Sequence, residues 1–234
     1  MDLHELKREQ AKLSYRINLE DSFSEIKTIG AAECQVIGDK ILATVVVCEF
    51  PSFKVKETKQ YQLSNPLPHK IGFAAYREMP AIIEAFNRLE EEPDMLLVKG
   101  EGVAHPRRLG IASHLGLELN IPTIGVQDKL SFGELEDGKI IIDGQALGFE
   151  IKTKEFSNPV FVSPGHNISI GTAMRIIPET IVHPHKLPEP LHIAHKLGRK
   201  TLKVLKSAIS ASETPHFGAQ KGHSDPSCVT RKKE

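Results

Sequence analysis

The sequence predicts an α/β fold in which helices flank a mixed central sheet, and three observations predict it. A β-branched run at 41–50 (ILATVVVCEF) passes through a Pro-Ser break into an alternating run at 53–63, which is the pattern of a hairpin with one covered face. Two amphipathic stretches are each followed by a short apolar run, MLLV at 95–98 and PTIGV at 122–126, so helix and buried strand repeat as crossover units. At 234 residues the chain is long enough to bury one sizeable core.

The elements follow in order. Residues 1–25 are polar, with Leu3, Leu6 and Leu13 at loosely helical spacing, and predict a short helical extension docked on a core that begins near Ile26. After the hairpin, residues 77–92 place Ile82, Ile83, Phe86 and Leu89 on one helical stripe that Pro93 stops. Residues 107–120 carry Leu109, Ala112, Leu115, Leu117 and Leu119 as a second helix, with Arg107 and Arg108 at its start. Residues 138–151 predict a strand, an Asp-Gly turn and a strand, and 159–163 a further short strand. Helices near 168–177 and 191–209 complete a domain spanning 26–209, and the apolar-poor residues 210–234 predict a disordered tail.

Composition narrows the function classes. Thirty basic side chains balance thirty acidic ones, so any nucleic-acid contact must come from a local patch and not from a global field. Cys34, Cys48 and Cys228 are odd in number and show no CxxC spacing, which argues against a disulfide framework or a zinc site and suits a reducing cytoplasm. No apolar run reaches the ~20 residues that cross a bilayer, and the charged start MDLHELKREQ is unlike a signal peptide. A cytoplasmic monomer without membrane contact is the expectation.

Residues 98–114 (VKGEGVAHPRRLGIASH) carry the densest chemistry, because an apolar strand ends in two glycines beside His105, Arg107, Arg108 and His114. Crevices beyond the carboxyl ends of parallel strands are where α/β proteins bind ligands, and glycines let a backbone approach one closely. Taken alone, His105 and His114 would be satisfied structural histidines and the arginines a surface patch.

Five blocks in one order change that weighting: GFAAYRE at 72–78, GEGVAHPRRLGIASHLGL at 100–117, IPTIGV at 121–126, FVSPGH at 161–166 and LPEP at 187–190. Together they resemble the endonuclease V family. The resemblance implies a ribonuclease H-like arrangement and a nuclease that cuts 3′ to inosine in DNA or RNA. It also implies carboxylates on the first strand, first helix and middle strand that hold Mg²⁺, with Mn²⁺ as a substitute. Hard oxygen donors suit that ion.

Carried onto this sequence, the resemblance assigns Glu78 as the helix glutamate and His166 as the histidine near the site. The first-strand acid falls on Glu33, or on Ala32 after a one-residue shift. The middle-strand aspartate is replaced by Lys99, and the family's lysine after the IGV strand falls on Asp128, so the pair is charge-swapped. A protonated ammonium has no lone pair to give a cation, so a Lys99–Asp128 salt bridge is expected instead. Glu33, Glu78 and His166 are then the catalytic candidates, and Glu33, Glu78 and Asp128 the metal candidates, with Glu101 as a possible replacement donor.

The family's lesion wedge becomes Pro68-His69-Lys70-Ile71, which trades stacking surface for charge. His69 and Lys70, with Gly72, Arg77, Gly100, Gly102, His105, Arg107, Gly110 and Ile111, are the substrate-binding candidates. Two functions fit: a Mg²⁺-dependent endonuclease acting at inosine, and a homologue that binds inosine-containing nucleic acid or a partner without cutting because of Lys99.

Overall fold

A computed structural model describes residues 2–154 and 156–212. The tail expected at 210–234 lies, beyond Ser212, outside the described residues, and so does Cys228. The chain opens with α1 (Leu3–Ser14), whose N-terminal amides are capped by the Asp2 carboxylate. A three-stranded antiparallel meander follows: β1 (Thr28–Ile37), β2 (Lys40–Glu49) and β3 (Val55–Ser64). Next come α2 (Ala74–Phe86), β4 (Met95–Lys99), α3 (Ile111–Leu119) and β5 (Thr123–Gln127).

The second half holds β6 (Glu134–Glu136), β7 (Lys139–Ile142), β8 (Gln145–Ile151), β9 (Val160–His166), α4 (Ile170–Glu179) and α5 (Glu189–Ser212). All nine strands form one sheet in the order β3-β2-β1-β4-β5-β9-β8-β7-β6. Only the centre is parallel, where β4 pairs with β1 on one side and β5 on the other. The Asp-Gly turn expected between β7 and β8 is Asp143-Gly144, with φ of 51° and 72°, as a type I′ hairpin requires.

Alternation along the central strands divides the core between two faces. Ile29, Ala31, Leu97, Ile124 and Val126 face α4 and α5, through Ile176, Leu191 and Ala194. Ala32, Val45, Leu96 and Val98 face α2 and α3, through Ile82, Ala112 and Leu115. The isoleucines, leucines and valines among them, fully removed from water, contribute about 1.5–3 kcal/mol each, so both faces anchor the strand ends firmly.

Two helix boundaries differ from expectation. The first helix of the crossover ends at Phe86 and not near Glu92, because Asn87 caps it and the Glu90 amide is claimed by the Glu57 carboxylate at 3.0 and 3.2 Å. The second begins at Ile111, so Arg107 and Arg108 belong to the loop before it. Arg108 takes a left-handed φ of 55°, and the Gly110 and Ala112 amides turn back to the Gly102 and Glu101 carbonyls. Among the described residues no helix is long and apolar enough to cross a membrane.

Candidate functional site

Because β1, β4 and β5 run parallel, their carboxyl ends meet at one edge of the molecule. The register pairs Ala32 with Val98 and Lys99 with Val126, so Glu33, Lys99 and Asp128 follow one another across neighbouring strands. Alternation puts all three on the face that packs against α5, with Glu33 and Lys99 one strand spacing of ~4.8 Å apart and Asp128 two residues beyond Val126, the partner of Lys99.

Glu33 is tied to α5. His195 Nδ1 lies 3.0 and 3.1 Å from the two Glu33 oxygens, and Gln35 holds the same residue by donating to the His195 carbonyl at 3.1 Å. The Glu33 side chain is 8% exposed and that of His195 40%, so the pair is buried at the carboxylate and open at the outer edge of the ring. The expected salt bridge also forms: Lys99 Nζ donates to Asp128 Oδ2, while Lys186 Nζ stands 3.7 Å from Oδ1. Burial alone would raise the Asp128 pKa, but the two ammonium groups outweigh it and hold the carboxyl below its usual range.

Glu78 reaches the same edge from the other face, on α2. Its pKa is pushed up to about 7, mainly by burial, with Arg77 opposing and the charges of Glu101 and Glu33 adding to the rise. Three acids therefore sense one another here. Glu101 accepts from Gln127 Nε2 at 3.1 Å, which orients it at the start of the loop after β4. Cys34, on the α2 side of β1, points its thiol at the Glu78 carbonyl, and burial raises its pKa well above the thiol range.

That loop is packed backbone against backbone. Gly100 sits at φ 150°, where a Cβ would come within 2.3 Å of Ile111, and a Cβ on Gly102 would meet the Pro164 carbonyl oxygen at 2.1 Å. His105 is 1% exposed, with Nδ1 accepting the Arg107 amide and Nε2 3.1 Å from the Gly72 carbonyl. The two bonds define one neutral tautomer, and burial, helped by the Arg107 charge, lowers the pKa to about 4. The Gly72 oxygen also receives Gln10 Nε2 at 3.0 Å and Arg107 Nη2 at 2.9 Å, so α1 is bonded into the loop.

Not every expected site residue lands at this edge. His166 pairs with Thr123, at the opposite end of β5 from Asp128, because β9 runs antiparallel to β5. Its Nδ1 accepts the Asn18 amide at 3.2 Å, and the catalytic assignment made from the SPGH block is corrected to a structural one. His195 and Lys186 stand at this edge, although no local pattern in the sequence marks either. Arg107 turns inward to Gln10 and Gly72 and stacks over Phe73 at 4.8 Å, so it braces the loop instead of offering a free phosphate contact. Gly110 and Ile111 are buried within the same loop, while His69, Lys70 and Ile71 stand exposed beside it.

The expected metal set is not assembled either. Among the described residues no three His, Cys, Asp or Glu side chains gather as they would around an ion. Glu33 is occupied by His195, Asp128 by two ammonium groups, and Glu78 approaches from the other face of the sheet. Ala32, the alternative position for the first-strand acid, is fully buried among apolar side chains of α2 and carries no oxygen donor.

An acid, a lysine and a second acid at the ends of three neighbouring parallel strands, beside a tightly turned glycine loop, mark the edge at which α/β proteins bind ligands. The family profile described as Endonuclease V matches residues 11–196. Endonuclease V of Dictyoglomus thermophilum is 38% identical over 203 residues, which cover 83% of this chain and 89% of that one. The catalytic domain of human endonuclease V superposes with a TM-score of 0.80 at 26% identity, covering 88% of this chain and 99% of that one. Endonuclease V of Ciona intestinalis, solved with a 24mer DNA containing an inosine followed by a ribo-adenosine, gives 0.78 at 26% identity over 87% and 98% of the two chains. The chain belongs to the endonuclease V family, and its sheet has the ribonuclease H-like arrangement that the sequence blocks implied.

Proposed function

We propose that this chain is an endonuclease that cleaves the phosphodiester bond 3′ to inosine or deoxyinosine in DNA or RNA, working as a monomer in the repair of deaminated bases. The observation that carries it is the loop from Gly100 to Ile111, within the longest of the family-like sequence blocks, folded beside Glu78, Glu33 and His195. His69 and Lys70, exposed just before Gly72, can stack on a base and meet a phosphate of the flanking strand. The non-cleaving alternative draws no support from the relatives, which carry the enzyme's name.

The family is metal-dependent, and Mg²⁺, with Mn²⁺ as a substitute, is the ion the resemblance implies. The donors in this chain do not fit that ion as arranged, so the roles assigned are those of its own groups. With a pKa of about 7, Glu78 can accept a proton from an attacking water or return one to a leaving oxygen near neutral pH. Glu33 fixes the His195 tautomer by accepting a hydrogen bond from Nδ1–H, which leaves the Nε2 lone pair free to accept from an O–H donor such as water. The test is strand scission of inosine-containing single-stranded DNA, duplex DNA and RNA with Mg²⁺, with Mn²⁺ and with chelator. Cutting 3′ to inosine that disappears in Glu78→Ala is the expected result, and cutting that persists in that variant rejects the assignment.

A further inference from the structure

We propose that the end of the central strand is a phosphate seat formed by Lys99 and Lys186, which take hold of a nucleic-acid backbone phosphate directly and without a metal ion; this rests on the nucleic-acid reading above. The charges decide the sign. Each oxygen of Asp128 has one ammonium partner, Lys99 on Oδ2 and Lys186 on Oδ1, so two positive groups share a single negative one. The surplus is one positive charge, at side chains 20% and 29% exposed, open enough to reach and shielded enough to matter. The neighbouring carboxylate on this face, Glu33, turns to His195 of α5 and takes neither ammonium group as a partner.

Position fixes the ligand class. Lys99 immediately precedes Gly100, at the head of the family-like loop, and the neighbouring strand β1 carries Glu33, which faces His195 of α5. A phosphodiester brings one negative charge and two non-bridging oxygens, enough for one ammonium on each. A divalent cation at the same place would face two ammonium groups, neither of which has a lone pair to offer. Asp128 then acts as a placeholder that holds both lysines until the phosphate competes for them.

A purely structural ion pair and a phosphate seat differ in what removal of Asp128 does. Binding of a fluorescein-labelled single-stranded DNA carrying one deoxyinosine is followed by anisotropy in chelator, over a series of salt concentrations. Lys99→Met and Lys186→Met are each expected to weaken binding about tenfold and to flatten the salt slope by about 0.7, the share of one phosphate contact on a single strand. Asp128→Asn is expected to tighten binding, because it frees both ammonium groups, and Lys99→Arg to keep it. Thermal midpoints, with Lys99→Arg as the folded reference, separate lost affinity from lost fold. Weaker binding in Asp128→Asn, unchanged affinity and slope in both Met variants, or wild-type binding that requires Mg²⁺ or Mn²⁺ would overturn the seat. Equal affinity for a guanosine-containing control counts against the inosine reading alone, since the lysine dependence is measured equally well on that strand.

Discussion

The loop after β4 and the strand ends beside it are neighbours built on opposite principles. The loop from Gly100 to Ile111 is held by steric fit and saturated hydrogen bonds, with His105 neutral and the Gly72 carbonyl receiving three donors. The strand ends at Glu33, Lys99 and Asp128 are held by charge, with Glu33 buried and Lys99 and Asp128 partly exposed. A change of one atom in the loop meets backbone that cannot move.

The largest effect is expected from Gly102→Ala. Its new Cβ would stand 2.1 Å from the Pro164 oxygen and 2.6 Å from that of Ser163, so β9 must shift, at a cost of about 3 kcal/mol or more. Gly171→Ala, in the first turn of α4, meets nothing within 4 Å and should be neutral or stabilising by about 0.5–1 kcal/mol. Urea midpoints of the two variants test the contrast, and similar midpoints would mean that the loop is not sterically closed.

Acid should open the loop next. His105 has a folded pKa of about 4, below its ordinary 6.5, so the neutral ring stabilises the fold fully above pH 6.5, and that stability is lost as pH falls towards 4. The loss is about 3 kcal/mol for this almost fully buried group. His105→Gln, which can still donate to the Gly72 carbonyl, should flatten the dependence in that window, as followed by denaturation at a series of pH values.

Glu78 has the opposite sign. Its pKa of about 7 means that burial and the neighbouring acids oppose its charge, so the native state is less stable above pH 7 than it would be with a neutral isostere. Glu78→Gln should therefore raise stability at pH 8 by about 1–3 kcal/mol and give little gain below pH 4.5. The same variant should not cut the inosine substrate. A variant that is less stable at pH 8 would show that the charged carboxylate is well solvated in the fold.

How much was legible in the sequence follows from the range of each contact. Periodicity located the hairpin, β4, β5, the β7–β8 turn and the helices, since each pattern lies within a few residues. It missed the short edge strand β6, whose three residues are all exposed and carry no apolar alternation. The Lys99–Asp128 pair was foreseen because both departures sit inside recognisable blocks at equivalent strand ends. His195 was not, because its bond to Glu33 spans 162 residues and nothing local marks that side of α5 as facing a carboxylate. Gln10 was missed for the same reason, 62 residues from Gly72. His166 was misplaced because a sequence block records that a histidine ends β9, but not that antiparallel pairing carries it to the far edge.

The smallest effect is the one that most sharpens the difference between loop and strand end. If charge alone holds Lys99 to Asp128, a double-mutant cycle with Lys99→Met and Asp128→Asn should give a coupling of about 1 kcal/mol or less, since both groups are partly exposed. The coupling should shrink further in high salt, because a pair open to solvent is screened. The exchange Lys99→Asp with Asp128→Lys keeps the pair and should retain the wild-type midpoint to within that margin, although Lys186 would then face a second ammonium at 128. A coupling of several kcal/mol that ignores salt would show the pair to be desolvated and rigid, and the strand ends would then be built on the same terms as the loop.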